Sequence, residues 1–244
     1  MQMKINLLKS LVILFLTTSC HLKEDVYISE DGSGSVVAES TRDESIYMKY
    51  LGDEYFAEQE FVDSAYVVKD IIAKEQKTFD VFLEEHQALL RKYENVKVHI
   101  KKDSYAKEYR TTISTPFKNI NEVGDLSHVT DYVDDLQNNY AIDPSRKRTY
   151  FTYNFDGTTF RRIFKVLNQE RYDEYKETIQ LYKQILHIGN FSYTANYHFP
   201  RKIKSVSHPD VILSEDKKSL TLKLPMLDCL EKPELAFLEV VLED

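Results

Sequence analysis

A chain of 244 residues, 42% hydrophobic and 30% charged, holds enough apolar material for one large domain or two small ones. Its formal net charge of −8 repels phosphate backbones and anionic lipid, which excludes nucleic acid as an expected partner and membrane adsorption by charge alone. Six Gly and six Pro leave little material for low-complexity linkers, and the absence of Trp weakens a sugar-binding case despite 17 Tyr and 13 Phe.

The chain opens "MQMKINLLKSLVILFLTTSC". Lys4 and Lys9 precede an apolar run, "LVILFL", that is shorter than the roughly 20 residues needed to span a bilayer. A removable signal over residues 1–19 is expected. The small polar "TTS" and then Cys20 resemble a bacterial lipobox, with Thr17 where leucine is usual and Leu16 one position further out. The resemblance implies that Cys20 becomes the first mature residue, carries lipid, and anchors the protein to a membrane. Losing residues 1–19 removes Lys4 and Lys9 but no acid, so the mature chain is two charges more negative. With Cys20 lipidated, Cys229 in "PMLDCLEKPEL" has no disulfide partner and reads as a small, semi-buried apolar residue.

Directly after the lipid site, Lys23, Glu24 and Asp25 resemble the lysine-plus-two-acids export signal of Bacteroidetes surface lipoproteins. That likeness implies an outer-membrane location, on the cell surface. "VYIS" and "SVVAES" alternate around "EDGSG", so a β-hairpin is expected, with Asp31-Gly32 and Gly34 at positive-φ turn positions. "HLKED" is then at most a five-residue tether, which holds the domain within roughly 15–20 Å of the lipid headgroups.

Residues 43–58 read as a helix with Asp43 as N-cap, and "EFVDSAYVVKDII" as a strand passing into a short helix. Phe79, Phe82, Leu83, Leu89, Leu90 and Tyr93 mark one face of a continuous helix. "VKVHIKK" and "YRTTIST" pair as a hairpin, and Val123, Leu126, Val129, Val133 and Leu136 form a helical stripe. The stretch 138–147 is loop-like, and Arg146–Arg148 reads as a solvated basic run. "TYFTYNFDGTTFRRIF" is a second DG hairpin, and Tyr172, Tyr175, Ile179, Tyr182 and Leu186 space as a helix. In "FSYTANYHF", Phe191, Tyr193, Ala195, Tyr197 and Phe199 share a face. A third hairpin turns Leu220, Leu222 and Leu224 inward, and "ELAFLEVVLE" ends the chain as a strand. The order implies an α+β fold, with antiparallel sheets built from hairpins and amphipathic helices on one face. Residues 20–244 are expected to form one domain; were there two, the break would fall near 138–147.

No catalytic constellation emerges. The seven His are scattered without HxH or HExxH, and Asp131, Asp134 and Asp135 lack an EF-hand glycine, so neither metal nor cofactor is expected. There is no GxSxG, and the DG-rich turn leads to a strand rather than a phosphate-holding helix. Asp63-Ser64-Ala65 resembles the tripeptide that exported Bacteroidetes proteins O-glycosylate, which makes Ser64 a candidate.

The lipobox, "EDGSG", "VDSAYVVKDII", "ISTPFKNINEV" and "SEDKKSLTLKLPMLDCLEKPEL" together resemble uncharacterised Bacteroidetes lipoproteins. In outline these are similar to LppM-like lipoproteins, whose α+β domain is implicated in lipid binding. The resemblance brings no catalytic residues. A non-enzymatic, lipid-anchored envelope protein is expected, with an interaction or structural role involving a protein partner. A carrier or sensor of an apolar ligand such as a lipid is second, and a hydrolase with a site invisible in sequence is third. A closed core favours the first, a sizeable apolar cavity the second, and converging groups with shifted pKa the third.

Overall fold

The computed structural model describes residues 19–43, 61–103, 105–142, 149–185 and 191–244. The bulk of the expected signal, all but the first residue of the helix read over 43–58, and Arg146–Arg148 lie outside these. Asp43, expected as an N-cap, instead ends a strand.

Strands β1 (Ser19–Ile28) and β2 (Gly34–Asp43) pair antiparallel over their whole length. The stretch expected to be a tether, His21 to Asp25, is therefore sheet. At the turn, Gly32 takes φ +80°, the left-handed region that glycine tolerates. Gly34 has a different reason, which corrects the expectation of a second positive φ. A Cβ built there would lie 1.8 Å from the carbonyl oxygen of Tyr27. Gly34→Ala must force two backbones apart, and a loss of about 1–3 kcal/mol is expected, read as a lower urea midpoint at unchanged m-value.

The larger sheet also contains β3 (Phe61–Val67), β4 (Lys97–Asp103), β5 (Glu108–Phe117), β8 (Ser192–His198), β10 (Val211–Leu213) and β11 (Ser219–Pro225). Its order is β10-β11-β8-β1-β2-β5-β4-β3. All neighbours are antiparallel except β1 and β8, which run parallel in the register Leu22↔Tyr193. Alternation in sequence reveals which residues share a face, but not which strand lies alongside, so this pairing was not foreseen. The smaller sheet joins β6 (Thr149–Phe155), β7 (Thr159–Val166), β12 (Leu238–Leu242) and the unforeseen β9 (Ile203–Val206), in the order β6-β7-β12-β9. The DG turn of β6–β7 places Gly157 at φ +94°, and the Asp156 carboxylate accepts hydrogen bonds from the Thr158 and Thr159 amides.

Six α-helices are described: α1 (Val68–Lys74), α2 (Gln76–Val81), α3 (Glu84–Lys92), α4 (Val129–Gln137), α5 (Gln169–Ile185) and α6 (Met226–Glu231). The continuous helix expected through Phe79–Tyr93 is broken at Phe82, whose ψ of 151° is extended. The Gln87 amide stabilises the break by donating to the carbonyls of Phe82 and Asp80, which the break leaves free. Leu83, expected on the inner face, is exposed as a result. The stripe Val123–Leu136 is buried throughout, but only α4 is α-helical. Upstream, Asn119 and Asp125 accept hydrogen bonds from the amides two residues on and pull the chain into short 3₁₀ turns.

The two sheets and helices α1–α4 and α6 share one continuous apolar cluster, with residues drawn from both sides of 138–147. Tyr193, Ala195 and Tyr197 of β8, Leu220, Leu222 and Leu224 of β11, and Leu238, Val240 and Leu242 of β12 all point into it. On β1 the inward parity is Cys20, Leu22, Glu24, Val26 and Ile28, while Lys23 and Tyr27 face out. The inward row thus carries one charged residue, Glu24.

Candidate functional site

The inner face of the larger sheet is not completely filled. A cavity of about 520 Å³ lies against two cross-strand rows, Leu22–Ser40–Thr111 and Glu24–Ala38–Ile113. Phe151 and Tyr153 of β6, Arg162 of β7, and Met226, Cys229 and Leu230 of α6 form the opposite wall. Gly124, Asp125 and Leu126 border it between the 3₁₀ turns. The lining is predominantly apolar, and the volume falls within the roughly 300–1,000 Å³ of small-molecule sites.

A buried charge pair forms one wall. Arg162 approaches the two carboxylate oxygens of Glu24 through Nε and Nη2, each at 3.3 Å, and Nη1 donates to the Ala236 carbonyl at 3.2 Å. The Tyr197 and Tyr193 hydroxyls donate to Glu24 at 2.5 and 3.2 Å. The guanidinium lies 3.9 Å from the Phe151 ring centroid and 5.1 Å from that of Tyr193. Arg162 is 4% exposed, so the pair ties the two sheets together in a desolvated interior. Burial, then the Glu24 charge, pushes the Tyr197 and Tyr153 hydroxyls far above their ordinary range. Burial chiefly raises Tyr193 as well. These groups keep their protons at neutral pH and act as donors. Burial opposes the Arg162 charge, but Glu24 and the tyrosines outweigh it.

Converging titratable groups were one criterion for a hydrolase. Here burial raises the Tyr153, Tyr193, Tyr197 and Cys229 groups, which keep their protons at neutral pH. Burial pushes the Cys229 thiol up to about 11, which leaves little thiolate at neutral pH. Glu24 is saturated by its partners: a carboxylate offers roughly four lone-pair positions, and two Arg162 N–H groups and the hydroxyls of Tyr193, Tyr197 and Tyr153 converge on it. Among the described residues no histidine lines the cavity. Among the described residues no three His, Cys, Asp or Glu converge as metal ligands would, and no helix is long and apolar enough to cross a membrane.

The sequence-designated residues are dispersed. Cys20 is half-buried on the inward face of β1, its Sγ 3.8 Å from Ser40 Oγ. Its nearest same-face neighbour on β1, Leu22, belongs to the cavity lining, about 6.6 Å along the strand. The cavity therefore reaches to within one row of the lipid-attachment candidate. Lys23 and Asp25 share the outward face and form an ion pair at 2.9 Å, and Asp25 accepts from Asn196. Glu24 lies on the other face, in the buried pair. Ser64 is exposed on β3, an edge strand.

Sequence reading did not find Arg162, Tyr153, Tyr193 or Tyr197 as a group with Glu24. The signal was present: Glu24 sits in the parity Leu22–Glu24–Val26, and Arg162 in Phe160–Arg162–Phe164. Two opposite charges, each on an otherwise apolar strand face, are a signature of a buried pair.

The molecule is thus an α+β protein with a partly open, mainly apolar cavity between two sheets, walled on one side by a buried ion pair. No family model matches the chain, and no curated protein matches it. Among solved structures, the folded domain of LppM from Mycobacterium tuberculosis is similar at a TM-score of 0.36 and 10% identity, over 94% of each chain. At that score the likeness assigns no function.

Proposed function

We propose that this is a lipid-anchored, non-catalytic protein of the cell envelope that holds an apolar ligand, such as one lipid chain, in the cavity between its sheets. The observation that carries the reading is the predominantly apolar cavity of about 520 Å³, whose end row adjoins Cys20. A filled core would have favoured a purely structural role. Lipid on Cys20 would place this end of the cavity next to the bilayer, because β1 begins at the attachment point with no tether between. The acidic surface disfavours anionic lipid, so the anchor rather than charge provides membrane attachment.

An outer-membrane, surface-exposed location follows if Lys23, Glu24 and Asp25 serve export. Glu24 is buried once β1 pairs, so that role belongs to the chain before the sheet closes. Ser64, exposed on its edge strand, is the place for a glycan.

Two experiments test the proposal. Cells fed a fatty-acid analogue are expected to label the wild type and not Cys20→Ala; equal labelling of both would remove the anchor. Titration of the protein with a single-chain amphiphile, 1-monolauroylglycerol or laurate, is expected to saturate at one per chain. No saturable binding of either would remove the ligand role.

A further inference from the structure

The charges around the cavity restrict what the polar end of a ligand can be. Arg162 is the buried cation of the wall, and its charge is already matched by Glu24. The other charged lining groups also have ion-pair or hydrogen-bond partners. Lys23 pairs with Asp25, Glu39 with Arg110, and Asp125 accepts from the amides of Ser127 and Phe151. Among the described residues no cation pairs with Asp125, so the lining holds one unmatched negative charge and no unmatched positive one. Arg162 donates once each through Nε, Nη1 and Nη2, three of its five N–H groups, which leaves one N–H on each of Nη1 and Nη2. Glu24 has no lone-pair position left.

We infer that the cavity takes an uncharged amphiphile whose polar end presents an acceptor oxygen, an ester carbonyl or a hydroxyl, to the spare N–H groups of Arg162, and that it rejects free carboxylates and phosphates. An anion buried beside a neutral pair carries an unmatched charge out of water, a desolvation cost with no counter-ion to offset it. A neutral carbonyl satisfies donors that would otherwise be buried unpaired, and leaves the Glu24–Arg162 pair intact. A cationic headgroup is not selected either, since Asp125, the lining carboxylate without a counter-ion, already accepts two amide hydrogen bonds. The inference rests on the cavity being a ligand site, and adds the chemical class of the ligand.

The test compares 1-monolauroylglycerol with laurate, matched in chain length, on the full protein at a pH well above the carboxylate range. The ester is expected to bind at least about tenfold more tightly, a difference of about 1.4 kcal/mol. Equal binding, or preference for laurate, overturns the inference and leaves the cavity standing as a ligand site. No saturable binding of either probe overturns both. Glu24→Gln removes the matching charge and is expected to narrow the ratio or reverse it in favour of laurate. An unchanged ratio in that variant overturns the assignment to Arg162. The wild-type ratio decides the matter even if Glu24→Gln does not fold.

Discussion

Arg162→Met is expected to lower the unfolding free energy by about 3–5 kcal/mol, because it strands the Glu24 carboxylate in a desolvated interior. Glu24 is 9% exposed, and the neutral hydroxyls of Tyr193, Tyr197 and Tyr153 would then face its charge. The double variant Glu24→Gln/Arg162→Met removes both charges and is expected to recover most of the loss, since the pair's net contribution is small compared with the penalty of breaking it. Urea unfolding of the wild type, both single variants and the double gives the coupling directly. A loss below about 1 kcal/mol for Arg162→Met would place the pair in solvent, in the range of exposed ion pairs, and contradict its burial.

Ala38→Phe is expected to abolish ligand binding, by at least about tenfold in Kd, without unfolding the protein. Ala38 sits in the middle of the inner face of β2, between Glu24 on β1 and Ile113 on β5, and its side chain borders the cavity. An aromatic ring there occupies space that is empty, so the usual overpacking penalty is relieved. Cavity filling commonly adds about 0.5–2 kcal/mol, so the unfolding midpoint should hold or rise. Unchanged binding would mean that the ligand sits elsewhere. A stability loss of more than about 3 kcal/mol would mean that the space is already packed.

Much of the fold was legible because it is local. Strand faces follow from period-two alternation, so the inward sets of β8 and β11 could be read directly, and the DG dipeptide located the turn at Gly157. The break at Phe82 escaped notice because hydrophobic spacing continues through it, while the stabilising contact comes from the Gln87 side chain. The parallel pairing of β1 with β8 and the placement of β9 depend on which distant segments meet, a property that periodicity does not encode.

The candidate site was less legible for the same reason. Glu24 and Arg162 are 138 residues apart, and neither is notable until both are seen on inward parities. The "KED" run drew Glu24 into a linear motif, although alternate strand residues point to opposite faces. The cavity is a deficit of packing between two sheets, set by how far apart they stand, and a single chain of letters carries no direct trace of it. Cys20 was prominent in sequence, but its inward orientation beside Leu22 and Ser40 appears only in the folded sheet.

The central claim is that the cavity holds an apolar molecule in the protein's own setting. Native mass spectrometry of the full-length product, extracted from its own membranes in mild detergent, tests it most directly. The expected mass exceeds that of the lipidated chain by one uncharged lipid, lost on organic extraction and absent from Ala38→Phe. A wild-type mass equal to the lipidated chain alone, with nothing released on extraction, would contradict it.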